Sequence, residues 1–124
     1  MRLLLDTHAL LAFLSGDYEF SPAAQAATER PGVNIVVSAV SVWEIAIKRS
    51  IGKLDAPEDL IERAEGAGAE LLSITARHAH ATGALPYHHR DPFDRLLIAQ
   101  AQLEGCAIVT GNRAFPAYGV TVVW

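Results

Sequence analysis

Val33-Asn34-Ile35-Val36-Val37 is a run too apolar to face water on either side, as expected of a strand in the middle of a parallel sheet covered by helices on both faces. From about Ser38 the spacing turns helical, with Val40, Trp43, Ile47 and Ile51 on one stripe and Gly52 at its end. Before it, Pro31-Gly32 closes a helix that opens at Ser21-Pro22, where a side-chain cap precedes a proline whose missing N–H is not needed in a first turn. Further out, Arg2 to Leu5 reads as a short buried strand, and Thr7 to Leu14 as a helix ending at Ser15-Gly16. In the other direction come an amphipathic helix from Pro57 to Gly66, a strand from Glu70 to Ile74, and a helix capped by Thr75 that runs to about Gly83. Asp91-Pro92 opens another helix, which ends before Gly105, and Cys106 to Thr110 and Val120 to Val123 are the last strands. The alternation predicts an α/β fold of three layers, a central and mostly parallel sheet of about five strands flanked by helices.

With 124 residues, 51% of them hydrophobic, the chain is expected to be a single domain spanning residues 1–124 around one well-filled core. No apolar run approaches the roughly 20 residues that cross a bilayer, and Met1 to Asp6 is interrupted too early for a secretory signal. The lone Cys106 has no internal disulfide partner, so a reducing, cytoplasmic setting and a role as a small buried hydrophobe are expected. A formal charge of −4 argues against a broad basic surface that binds nucleic acid by counterion release alone. Local contact is still open to Arg77, His78, His80, His88, His89, Arg90 and Arg95, whereas the acidic run from Asp55 to Glu70 reads as a solvated helix face.

Three carboxylates stand where a folded chain would least readily leave them: Asp6 after the first strand, Glu44 within an apolar helix, and Asp94 in the first turn of another. Buried ionised carboxylates are costly unless a positive group meets them, and converging ones are most easily stabilised by a divalent cation. In parallel sheets, ligands collect beyond the carboxyl ends of strands where the strand order reverses. Asp6 and Gly111-Asn112 directly follow strands in this way. Each acid also has a plainer reading. Ser41 and Glu44 fit a capping box, with Lys48 one turn on for an exposed ion pair; Asp91 before Pro92 is a helix cap; and Asp94 complements a helix dipole. Nothing local requires an acid at Asp6. Mg²⁺ or Mn²⁺ suits such a set, because these ions keep several waters and accept a few carboxylates together with phosphate oxygens. An ion of this kind activates water for attack on phosphorus and reverses the sign of a field that would otherwise repel a nucleic acid.

The stretches Met1-Arg2-Leu3-Leu4-Leu5-Asp6-Thr7-His8, Ser38 to Leu54 around Trp43-Glu44, and His89-Arg90-Asp91-Pro92-Phe93-Asp94-Arg95 resemble a PIN-domain protein of the VapC toxin type. Ile108-Val109-Thr110-Gly111-Asn112-Arg113 and Tyr118 to Trp124 continue the likeness, which covers essentially the whole chain in order. The resemblance implies a PIN fold and a Mg²⁺- or Mn²⁺-dependent endoribonuclease. It also implies the toxin of a toxin–antitoxin pair, inhibited by a small cognate antitoxin and often dimeric. Asp6, Glu44 and Asp94 match the family's acidic metal positions and are the expected catalytic and metal-binding residues, with an activated water as nucleophile. The family's fourth acid falls at Asn112, whose amide carries no negative charge.

Accessory positions follow from these. Asn112, Asp91, Thr7, Ser38 and Thr110 lie beside the acids, where they either orient them or cap backbone. His89, Arg90, Arg95 and Arg113 are candidate RNA contacts. Adjacent histidines without cysteine make a weak zinc pattern. The rival from another class is a PIN-like module that binds RNA or protein without turnover, its site weakened at Asn112. A haloacid-dehalogenase site would want an acid where His8 stands, and no glycine-rich phosphate loop or serine elbow occurs.

Overall fold

A computed structural model describes residues 1–16 and 19–124. Its centre is a five-stranded sheet with β1 (Arg2–Leu5), β2 (Asn34–Ser38), β3 (Glu70–Leu72), β4 (Ala107–Val109) and β5 (Val122–Val123) in the order β3-β2-β1-β4-β5. Every neighbouring pair is parallel, so the expected mostly parallel sheet is parallel throughout. Helices α1 (Thr7–Ser15), α2 (Pro22–Glu29), α3 (Ala39–Ser50), α4 (Leu60–Gly66), α5 (Ala76–Ala81) and α6 (Pro92–Glu104) supply the crossovers and cover the sheet.

The period-two geometry of strands divides the core in two. Leu3, Leu5, Ile35, Val37, Ala107 and Val109 point to one face, where Ala9 and Leu10 of α1, Ala24 of α2, and Leu60 and Ala64 of α4 close over them. Leu4, Val36 and Ile108 point to the other, against Leu97, Ile98 and Ala101 of α6 with Leu85, Phe115 and Tyr118. Fully burying one such leucine contributes on the order of 1.5–3 kcal/mol, which is why a short run like Leu3-Leu4-Leu5 can hold the central strand. At the start of β1, Arg2 pairs with Glu70 at the start of β3 at 2.5 Å and donates to the Glu104 carbonyl at the end of α6 at 3.0 Å.

Several boundaries differ from those read in the sequence. Residue 57 does not begin a helix; α4 starts at Leu60, after a turn, and its N-cap Asp59 makes no side-chain cap bond. The edge strands β3 and β5 stop short of Ile74 and begin only at Val122, as befits strands paired on one side only. Ser38 ends β2 and caps α3 through its hydroxyl, which accepts from Val40 N at 3.0 Å. The Ser41–Glu44 capping box is therefore absent. On α3 the buried set is Val40, Ser41, Glu44 and Ile45, while Trp43, Ile47 and Ile51 of the expected apolar stripe are exposed. Cys106 is buried and free, as expected. Among the described residues no helix is long and apolar enough to cross a membrane.

Candidate metal-assisted active site

The order β3-β2-β1-β4-β5 reverses between β1 and β4, because the chain leaves β1 toward β2 on one side and later returns to place β4 on the other. A crevice opens beyond the carboxyl ends of strands at such a point. Here it is a cleft of about 520 Å³ whose walls include Asp6, Thr7, His8, Glu44, Lys48, Asp91, Asp94, Gly111, Asn112 and Trp124. The acids at 6, 44 and 94, remote along the chain, thus share one pocket.

Each is held by a different device. Asp6 follows β1 and is the N-cap of α1, its Oδ1 accepting from Ala9 N at 2.8 Å, so a local reason for an acid exists that the sequence did not reveal. Its Oδ2 accepts from the Thr110 hydroxyl at 2.5 Å, across the β1–β4 pair. Glu44 lies buried on α3, with Oε1 accepting from the Thr7 hydroxyl at 2.5 Å and Oε2 paired with Lys48 Nζ at 2.6 Å. Asp94 sits in the first turn of α6, where His89 Nε2 meets its Oδ2 at 2.6 Å.

Burial is the main influence on two of these groups. It pushes the Asp6 carboxyl above its usual range, against the opposing hydrogen bonds from Thr110 and Ala9, and the nearby Glu44 adds to the rise. Asp94 is pushed up to about 6, again chiefly by burial, with His89 opposing and Asp91 and Glu44 reinforcing. Glu44 thus acts electrostatically on both of the others. A cleft that disfavours its own negative charge favours a cation within it.

The donor set is all oxygen, which suits a hard dication. Among the described residues, however, no three His, Cys, Asp or Glu side chains close tightly enough to ligate one ion by themselves. The two observations agree for an ion that keeps much of its hydration shell and takes only one or two carboxylates directly, as Mg²⁺ does. The residues fit such an ion and do not form a closed cage.

The accessory positions separate. Thr7 and Thr110 each donate to an acid. Ser38 touches none; besides capping α3 it donates to Gln100 at 2.5 Å. Asp91 caps α6 through Oδ1, accepting from Phe93 N at 2.8 Å and Asp94 N at 3.1 Å, while also bordering the cleft. Asn112 commits Oδ1 to Ala114 N at 2.9 Å and turns Nδ2 toward His89 Nε2 at 3.4 Å, so it presents a donor where a ligand oxygen would be wanted.

Of the candidate RNA contacts, His89 leans on Asp94, Arg90 borders a separate depression with Trp43 and Tyr87, and Arg113 is exposed. Arg95 differs from the expected phosphate contact: it is buried beneath the Tyr87 ring, and its guanidinium donates to the carbonyls of Thr82, Leu85, Pro86 and His89, so it anchors the loop before α6 and only borders the depression beside Arg90. His78 is buried too, its Nδ1 accepting from Thr75 N and its Nε2 facing Glu104. Tyr118, whose hydroxyl accepts from His89 N and donates to the Pro86 carbonyl, secures the same loop, and no local sequence pattern marks it. Lys48 and Trp124 were likewise not singled out for the cleft.

The chain is a wholly parallel α/β domain with carboxylates gathered over the switch point of its sheet. The chain belongs to the PIN domain family, whose model matches residues 3–120. Its fold is similar to a chain of the VapBC2 complex from Rickettsia felis bound to a DNA fragment from the promoter, at TM-score 0.70 and 15% identity over 98% of this chain and 97% of that one. It is similar also to DNA-bound VapBC from Salmonella typhimurium, at TM-score 0.65 and 20% identity over 98% and 96%. VapBC-1 from nontypeable Haemophilus influenzae gives TM-score 0.65 and 17% identity over the same shares, 98% and 96%. No curated protein matches the chain.

Proposed function

We propose that this PIN-domain chain is a Mg²⁺- or Mn²⁺-dependent endoribonuclease acting as the toxin of a toxin–antitoxin pair. The observation that carries the reading is the meeting of Asp6, Glu44 and Asp94 in one cleft at the switch point of the sheet. These three would hold a hydrated ion, one or two of them directly and the rest through its waters, and such an ion would supply an activated water and a counter-charge for the phosphate oxygens. The chain's own part is positioning. Thr110 and the α1 N-terminus orient Asp6, Thr7 orients Glu44, and His89 orients Asp94. No side-chain nucleophile is needed.

A small antitoxin is the proposed inhibitor and a second copy of the chain the proposed dimer partner. The similar folds are those of chains in VapBC complexes, and exposed Trp43, Ile47 and Ile51 offer apolar surface for a protein contact. A second reading, a PIN-like module that binds RNA or protein without turnover, is favoured by Lys48 occupying Glu44 and by the amide at Asn112. Incubating total RNA with the protein in Mg²⁺ and in EDTA, beside calorimetric titration of Mn²⁺, separates the two. Metal-dependent cleavage that folded Asp6→Asn protein lacks supports the nuclease, whereas metal or RNA binding with no cleavage overturns it in favour of the module.

A further inference from the structure

The acidic cleft has one aromatic wall. Trp124 borders the same cavity as Asp6, Glu44 and Asp94 and remains 40% exposed. Its indole is seated closely on Gly111: a methyl group at residue 111 would come within 2.8 Å of Trp124 Cε2 and 3.0 Å of Nε1, so only glycine lets the ring lie there. Phe20 meets it edge-on, with centroids 6.1 Å apart and planes at 66°. The ring is therefore braced from the protein side while part of its surface faces the cleft. A braced aromatic surface beside a site for phosphate provides what a nucleobase needs, because stacking requires a flat partner and tolerates any base.

We propose that Trp124 is the platform on which an unpaired nucleobase of the RNA stacks, at the wall of the acidic cleft. The inference rests on the nuclease reading and adds to it a nucleobase subsite that selects single-stranded or looped RNA over duplex, since a base must leave its helix to reach the ring.

The test uses full-length chain carrying Trp43→Phe, which leaves Trp124 as the sole indole of the two tryptophans. A single-stranded oligoribonucleotide in Ca²⁺, a hard dication that gives the cleft its counter-charge, is expected to quench Trp124 emission saturably, and the same sequence in a blunt duplex is not. By anisotropy of labelled RNA, Trp124→Leu, which keeps an apolar side chain over Gly111 without a π face, weakens binding about tenfold, and Trp124→Phe weakens it by only about two- to threefold. In Mg²⁺ the Leu variant raises KM by about the same tenfold factor and leaves kcat within about twofold. Equal RNA affinity for Trp124→Leu and its parent, equal quenching by duplex, or emission unmoved by RNA overturns the proposal and leaves Trp124 as packing or as a protein contact. If RNA quenches Trp124 but no variant or parent cuts RNA in Mg²⁺, the platform stands and the nuclease reading falls. If the parent cuts RNA and Trp124→Leu cuts it with unchanged KM, the reverse holds.

Discussion

Lys48 Nζ lies 2.6 Å from Glu44 Oε2, one turn along the same helix, on the wall of the acidic cleft. The ammonium is the cation that Glu44 has to hand, and the pairing raises the Lys48 pKa. A dication in the cleft would compete with it for the same carboxylate. Replacing Lys48 by Met leaves Glu44 buried with Thr7 as its remaining partner. The expected outcome is a Tm lower by roughly 5 °C in EDTA, together with a larger upward shift on adding Mn²⁺ than the parent shows. Differential scanning fluorimetry across a metal series checks both.

Asp6→Asn and Asp94→Asn remove charges that burial disfavours. Asparagine caps a helix about as well as aspartate, so α1 keeps its start. Both variants are expected to melt at or above the parent's Tm in EDTA while losing at least about 100-fold in RNA cleavage. A combined melting and cleavage assay reads the two effects on one preparation.

The pH dependence has a definite sign. Asp94 binds its proton up to about pH 6 in the folded protein, against 3.8 for the ordinary group, so between those values the folded state holds more protons than the unfolded one. The contribution of Asp94 is therefore most favourable below about pH 4 and declines as pH rises toward about 6. Melting in EDTA between these limits should show that decline, and Asp94→Asn should flatten it. Cleavage runs the other way, rising as Asp94 ionises, with a midpoint that moves lower as Mn²⁺ increases.

Asn112 turns its amide N–H group toward His89 and spends its oxygen on Ala114 N. Aspartate can keep the bond to Ala114 and adds the charge the amide lacks. Calorimetry with Mn²⁺ is expected to give about one ion per chain for the parent and a second, weaker site for Asn112→Asp, because a second ion needs acids on both sides of it.

Arg95 carries its charge inside the protein, bonded to carbonyls of the loop that presents His89. Arg95→Met removes the guanidinium donor from each of those carbonyls, of which Pro86 keeps the Tyr118 hydroxyl and Thr82 keeps Leu85 N. The expected cost is about 2–4 kcal/mol, measured by urea denaturation, together with weaker cleavage as His89 loses its footing.

The sheet was readable because its central strands are apolar on both faces, and no other common element asks for Val33 to Val37 beside Leu3 to Leu5. Helix starts were readable where the cap is local, as at Ser21, Thr75 and Asp91. The α3 start falls at Ser38 as its spacing indicates, and the Ser41–Glu44 capping box was a competing reading because Ser38 and Ser41 are equally good caps in sequence, with only the end of β2 deciding between them. Exposure of Trp43, Ile47 and Ile51 was hidden for a related reason: periodicity gives an apolar face but not whether another element packs on it. At the cleft, residue type marked Asp6, Glu44 and Asp94. The Glu44–Lys48 pair was readable from its one-turn spacing and Thr110 from its place at a strand end, whereas the Thr110–Asp6 pairing and the place of Trp124 depend on which strands become neighbours, which no local pattern states.

The hydrogen bond from Thr110 to Asp6 joins residues 104 positions apart and exists only once β4 has settled against β1. Domains form as the ribosome releases them, amino-terminal parts first. A half-translated chain therefore carries its acids on separate segments, and the cleft is completed only when the segment after Cys106 has left the exit tunnel. A cleft assembled this late is missing from the nascent chain until β4 has been made and has paired with β1.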